Sequence, residues 1–175
     1  RFVRGEEFRL SLALLDGRID ADRAGLWRTA LAEATIRALL PRVLAAQAAR
    51  HGTVPGGRMA VVALGKAGSR EMLPGSDLDL MLIYDHPDAA SESDGARPLP
   101  ASTWFMRAAH GFIAALTAPG PEGPLYAIDM RLRPSGNKGP VAVPLGGFIR
   151  YHAAEAWTWE RMALTRARVV AGPSP

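Results

Sequence analysis

The sequence predicts an α+β fold, a mixed β-sheet core with flanking helices at both ends. Three observations carry this expectation. Apolar side chains recur at helical spacing near the start, short continuous apolar runs of strand length fill the middle, and the helical period returns from Gly146. Of the 175 residues, 48% are apolar and 22% charged, a globular balance with material for a real core.

Phe8, Leu12 and Leu15 recur at helical spacing, and Gly17 breaks the run. Asp20 or Asp22 can cap a second helix carrying Leu26, Ala30, Leu31, Ala34, Ile36 and Leu39. Pro41 falls inside that pattern. Lacking an amide hydrogen, it should kink the helix or start a new one reaching Arg50. His51-Gly52 and Pro55-Gly56-Gly57 close this helical lead-in, residues 1–52.

Met59 to Leu64 has the length and composition of a buried strand, and Leu78 to Tyr84 of a second. Gly65 to Ser76 between them is rich in small residues, with one helical turn expected around Arg70-Glu71. His86 to Pro100 is polar and without period, a surface loop. Ser102 or Thr103 can cap a helix bearing Trp104, Phe105, Ala108, Phe112 and Leu116. Leu125 to Leu132 gives a third strand, Pro134 to Gly139 a loop, and Val141 to Val143 a short strand. Residues 58–145 thus form the core in which chemistry would sit. Residues 146–172 follow as packing helices anchored by Phe148, Tyr151, Trp157 and Leu164.

Composition narrows the chemistry. With no cysteine, disulfides and thiolate metal sites are excluded, so a metal must sit on oxygen or imidazole. His51, His86, His110 and His152 are scattered without ligand spacing. No signal peptide and no apolar run of about 18 residues is present, so a cytoplasmic protein with no membrane partner is expected. The net charge of +4 suits an anionic ligand. It is small, and no stripe mixes basic and aromatic residues as strand-stacking proteins do, so nucleic acid is not an expected partner. The chain opens on Arg1 and reads as a single domain, 1–175, cut from something longer.

The most informative stretch is LGKAGSREMLPGSDLDLMLIYD, Leu64 to Asp85. Side chains alternate across a strand, so Asp77 and Asp79 leave one face while Leu78 and Leu80 leave the other. Two like charges about 4 Å apart repel by about 4 kcal/mol at an effective dielectric near 20. A divalent cation between them reverses the sign, and oxygen ligands favour Mg2+ or Mn2+. A solvent-facing D-x-D at a sheet edge is the plainer alternative.

Two further features favour chemistry. Gly65, Gly68 and Ser69 precede the pair, where small residues let backbone amides approach a phosphate, with Lys66 supplying charge. In Tyr126 to Arg133, strand alternation would place Asp129, Arg131 and Arg133 on one face. If that strand lies beside the first pair, three carboxylates converge. The arrangement suits two-metal phosphoryl or nucleotidyl transfer, with Asp129 as the base for the acceptor hydroxyl.

The glycine-serine turn, the SDLDL string and the later strand acid resemble the nucleotidyltransferase superfamily that includes polymerase beta, which implies a nucleotidyltransferase-like sheet core. More narrowly, EEFRLSLALLDGRIDA, VALGKAGSREMLPGSDLDLMLIYD, LYAIDMRLRPSGNKGPVAV and EAWTWERMALTRARVVAG resemble glutamine synthetase adenylyltransferase, in order along nearly the whole chain. The family holds two such domains, one adding AMP and one removing it by phosphorolysis, and the last two strings look more like the adding domain. The resemblance implies ATP as substrate and a tyrosine of glutamine synthetase as acceptor, with PII signalling protein and glutamine as regulators. It implies Asp77, Asp79 and Asp129 as metal-binding acids, and Gly68, Ser69 and Ser76 around the phosphates. Both Gly65-Lys66 and Gly68-Ser69 stand as candidates for the phosphate turn. Phosphorolytic removal, or nucleotide sensing without turnover, are the other functions open at this stage.

In the last helix, Trp157 and Trp159 are expected to pack on the core, with Arg161, Arg166 and Arg168 paired to acids or solvated. The competing reading puts those arginines near nucleotide or acceptor.

Overall fold

The computed structural model describes residues 2–121 and 123–173. Helix α1 (Phe2–Leu15) leads to α2 (Ala21–His51), capped by Asp20, whose carboxylate accepts from the Arg23 amide at 2.8 Å. Pro41 does not end α2. It removes one amide donor from a helix of 31 residues, and the turns on either side carry the rest. Strand β1 (Arg58–Ala63) follows, then a single short helix α3 (Gly65–Ser69), then β2 (Leu78–Asp85). The helical turn therefore lies ahead of Arg70-Glu71, because Arg70 itself takes a left-handed conformation (φ 66°) that ends it.

The segment from His86 to Pro100 is largely loop, with one bridge from Glu92 to Pro100. Helix α4 (Ala101–Thr117) starts directly after Pro100 rather than from a Ser102 or Thr103 cap. A two-strand ribbon, β3 (Pro119–Gly120) and β4 (Gly123–Pro124), precedes β5 (Ile128–Asp129). The third strand is thus two residues long, far shorter than Leu125 to Leu132. A 3-10 turn at Gly136–Lys138 leads to β6 (Ala142–Pro144), α5 (Leu145–Ala154), α6 (Thr158–Leu164) and β7 (Arg168–Ala171). The C-terminal segment is therefore not helical throughout; Arg168-Val-Val-Ala joins the sheet instead.

The sheet runs β5-β2-β1-β7, with β6 also against β2, farther along it. Strands β1 and β2 pair antiparallel from Arg58–Asp85 to Ala63–Leu80, whereas β5 and β6 lie parallel to β2. This is the expected α+β mixed sheet flanked by helices. One face, carrying Leu78, Leu80, Leu82 and Tyr84, joins Ile36 and Leu40 of α2 and Phe105 and Phe112 of α4 in the main core. On the other, Val62, Leu64 and Met81 form a small cluster with Phe148 and Leu164. Asp79 sits on this second face, where the apolar cover stops. No described helix is long and apolar enough to cross a membrane.

Candidate functional site

Strand β2 is delivered by a tight turn. Gly75 has φ 71°, the Leu73 amide donates to Ser76 Oγ at 2.9 Å, and the Ser76 amide returns to the Leu73 carbonyl at 3.1 Å. Asp77 then emerges exposed, Leu78 turns into the core, and Asp79 is half-buried on the open face. The Leu78 amide donates to the Ala127 carbonyl at 2.9 Å, which fixes β5 in register: Leu78 opposite Ile128, Asp79 opposite Asp129. Parallel neighbours in register project their side chains to the same side. Asp79 and Asp129 therefore share one face at one end of the sheet, and Asp77, just ahead of the strand, is near enough for its charge to act on Asp79.

Their electrostatics differ. The Asp79 carboxyl is pushed above the usual carboxylate range by burial, then by the negative charges of Asp129 and Asp77, with Arg131 and Lys66 opposing. Asp129 is held below that range, chiefly by hydrogen bonding from Arg131. The Arg131 amide donates to Oδ1 at 2.8 Å, while its Nε and Nη2 reach Oδ2 at 2.7 and 2.5 Å. Among the described residues, no three acid or imidazole groups stand ready to share one ion. Asp129 is engaged by Arg131 instead.

The donors nonetheless suit a hard cation. They are carboxylates only, they repel one another through Asp79, and Asp77 is exposed on the open side. Asp129 would join them only if it left Arg131, whose side chain is exposed.

The expected face of Asp129, Arg131 and Arg133 does not persist, because the strand ends at Asp129 and the chain turns. Arg131 stays beside the acids. Arg133 is buried, donating from Nη1 to the Met130 carbonyl at 2.7 Å and from Nε to the Gly139 carbonyl at 3.3 Å. It ties the ends of the 130–139 segment together.

The glycine turn divides likewise. Gly65 has φ 50°, and a Cβ there would run into Asp79 Oδ2, so its backbone lies directly on the acid. Lys66 is exposed, and its charge reaches Asp79. Gly68 faces the other way, where a Cβ would strike the Arg166 carbonyl. Ser69 Oγ lies 3.1 Å from the Gly65 carbonyl and 3.0 Å from Glu71 Oε2. Gly65, Lys66, Asp77, Asp79, Asp129 and Arg131 thus come together. Gly68, Ser69, Ser76 and Arg133 make the hydrogen bonds and close packing that shape the surrounding turns.

Two residues behind α3 complete the setting. Arg168 donates from Nε to the Gly68 carbonyl (2.7 Å) and from Nη2 to the Ala67 carbonyl (2.9 Å) and Glu33 Oε1 (2.5 Å). For Arg168 the paired reading holds. Glu33 carries no sequence signal, since it is one acid on a helix of mixed composition. Trp157 and Trp159, expected against the core, are instead 71% and 55% exposed. Their helix is fastened by Glu160, which accepts from Tyr151 Oη and the Trp157 amide, both at 2.8 Å. A cleft of about 980 Å³ between α2, β1 and β7, walled by Leu40, Pro41, Met59 and Trp104, lies at the opposite end of the sheet from the acids.

Fold and site together define an α+β protein that presents clustered carboxylates against a glycine turn at one sheet end. Residues 1–175 match the family described as glutamate-ammonia ligase adenylyltransferase, and the chain belongs to that family. It is 50% identical over 171 residues to a Mesorhizobium japonicum protein named bifunctional glutamine synthetase adenylyltransferase/adenylyl-removing enzyme. Proteins of the same name from Agrobacterium fabrum and Rhizobium meliloti are also 50% identical, over 171 and 173 residues. Each match covers 98% of this chain but only 17%, 17% and 18% of the relatives, so the chain spans less than a fifth of their length.

Proposed function

We propose that this chain is a nucleotidyltransferase domain, of the polymerase beta superfamily, that moves AMP from ATP to a tyrosine of glutamine synthetase. It corresponds to the adenylyl-adding, C-terminal domain of its family. The observation that carries this reading is the in-register pairing of Asp79 with Asp129, with Asp77 close enough for its charge to act on Asp79.

In this reading Asp77, Asp79 and Asp129 hold Mg2+ or Mn2+, which when bound would neutralise the triphosphate and polarise its phosphorus centre. Gly65 and Lys66 face the same space, so the turn's backbone and the ammonium lie against the phosphates. The Asp129 carboxylate, once released by Arg131, accepts the proton of the attacking tyrosine hydroxyl. Arg131 then has its guanidinium free for the phosphate charge. The hydroxyl oxygen bonds to the α-phosphorus as the bond to pyrophosphate breaks.

The relatives' shared name covers removal as well as addition, which supports a second reading in which the same acids serve phosphorolysis of the AMP–tyrosine link. PII and glutamine would act as regulators in either case.

Two measurements test the proposal in the full-length protein. Asp77→Asn and Asp79→Asn should each weaken Mg-ATP binding strongly; variants that bound it like the parent would overturn the site. Parallel incubations with unmodified and adenylylated glutamine synthetase then set the direction. Product from the adenylylated form alone would favour removal.

A further inference from the structure

We infer that Arg168 and Glu33 are positioning residues that set the Gly65–Ser69 turn at its working distance from Asp79. The inference rests on the proposed role of that turn in holding phosphate.

The turn is caught between two hard contacts. On its front, Gly65 lies on the Asp79 carboxylate with no room for a methyl group. On its back, Gly68 abuts the Arg166 carbonyl with no room either. A five-residue helix has little internal hydrogen bonding, so its place depends on what grips it from outside.

Arg168 supplies that grip. Its planar fork takes the carbonyls of two successive turn residues, Ala67 and Gly68, in a geometry that an ammonium does not reproduce. The guanidinium is held by Glu33 Oε1 from α2. Glu33 Oε2 accepts from Arg37 Nη2 at 2.9 Å, and Arg37 Nε donates to the Val170 carbonyl at 2.8 Å. Glu33 is buried and Arg168 partly so, which leaves their ion pair little screened by salt. The network therefore joins α2, β7 and the turn. Only the Arg168 arm touches the turn, and Arg37 ends on β7.

That asymmetry provides the test. In the full-length protein, Arg168→Lys and Glu33→Gln should weaken ATP binding about tenfold or more. Binding of adenosine, measured by competition, should change much less, because it has no phosphate to meet the turn. Arg37→Gln, which breaks the other arm of the same acid, should leave the ratio of ATP to adenosine affinity near the parent's. Hydrogen exchange of amides 65–70 should speed up in the first two variants and not in the third. ATP and adenosine affinities falling in step, or an Arg37→Gln effect equal to the others, would overturn the inference. So would failure of both Arg168→Lys and Glu33→Gln to fold, which would make the brace a plain support. Asp79→Asn separates the claims: if it binds Mg-ATP as the parent does, the site itself is wrong. If it loses binding while the brace variants keep it, only the positioning role fails.

Discussion

Asp79 and Asp129 stand side by side, yet their strands are held in different ways. Asp79 belongs to an eight-residue strand, paired with β1 from Arg58–Asp85 to Ala63–Leu80 and buried on the core side along Leu78, Leu80 and Leu82. Asp129 ends a two-residue strand, and the chain beyond it is shaped by arginines rather than by a ladder. One acid is fixed by backbone and apolar packing. The other has two residues of strand pairing, and its carboxylate is held by hydrogen bonds from the Arg131 amide and guanidinium. In the proposed reaction the first acid belongs to the frame and the second is the group that is released.

The sharpest way to break this contrast is to disturb the fixed side. Gly65→Ala puts a methyl group where Asp79 Oδ2 sits, at a φ of 50° that already disfavours alanine. Because the frame cannot yield, the carboxylate must move. A displacement on the order of 1 Å at a reacting centre costs about 100-fold in rate. AMP transfer assayed in the full-length variant should fall by about that factor, beyond the modest loss of stability that alanine at a left-handed φ brings, about 1–2 kcal/mol. A Gly65→Ala enzyme of parental rate would show that the turn and Asp79 do not share a site.

Disturbing the other side should act on stability first. Arg133 has buried donors on the Met130 and Gly139 carbonyls, and Arg133→Ala leaves both acceptors without that partner. The expected loss is about 1–3 kcal/mol, read by thermal or denaturant unfolding. Hydrogen exchange should show it concentrated in residues 130–139 and weak in β1 and β2. A loss spread evenly through the sheet would mean that the two regions are not held separately.

The same contrast explains what the sequence could and could not reveal. The acids of β2 were legible because a long apolar strand makes charges at alternate positions conspicuous, and alternation alone fixes their face. Asp129 was legible by the same rule, but only to the end of its strand. Arg131 and Arg133 were read as its neighbours on a continuing strand, and the turn after Asp129 sent Arg133 inward instead. Short sequence runs do not state where a ladder stops, since that depends on partners elsewhere. β7 escaped for a related reason: Arg168-Val-Val-Ala is too brief to show a period, and it became a strand because β1 has an edge to pair. Glu33 could not be found at all, since its partner Arg168 is brought to it only by the fold.

The mildest perturbation tests whether Asp129 is the movable base. Arg131 holds its carboxyl below the ordinary range, so the folded protein keeps Asp129 ionised to lower pH than a free aspartate. If Asp129 takes the acceptor proton, the acid limb of kcat/KM reports its ionisation in the free enzyme, where Arg131 still holds it. Removing the guanidinium with Arg131→Ala should move that limb to higher pH, since the depression is lost. The stability signs follow from the same shifts. A lowered carboxyl contributes stability above its unfolded value, and that contribution fades as pH falls through the folded one, so parent and variant should converge in strong acid. Asp79 has the opposite sign: its raised carboxyl disfavours folding as pH climbs through the carboxylate range, so Asp79→Asn should melt slightly higher at neutral pH when no cation is added. An acid limb that stays in place in Arg131→Ala would assign the proton transfer to some other group, even if the rate plateau fell.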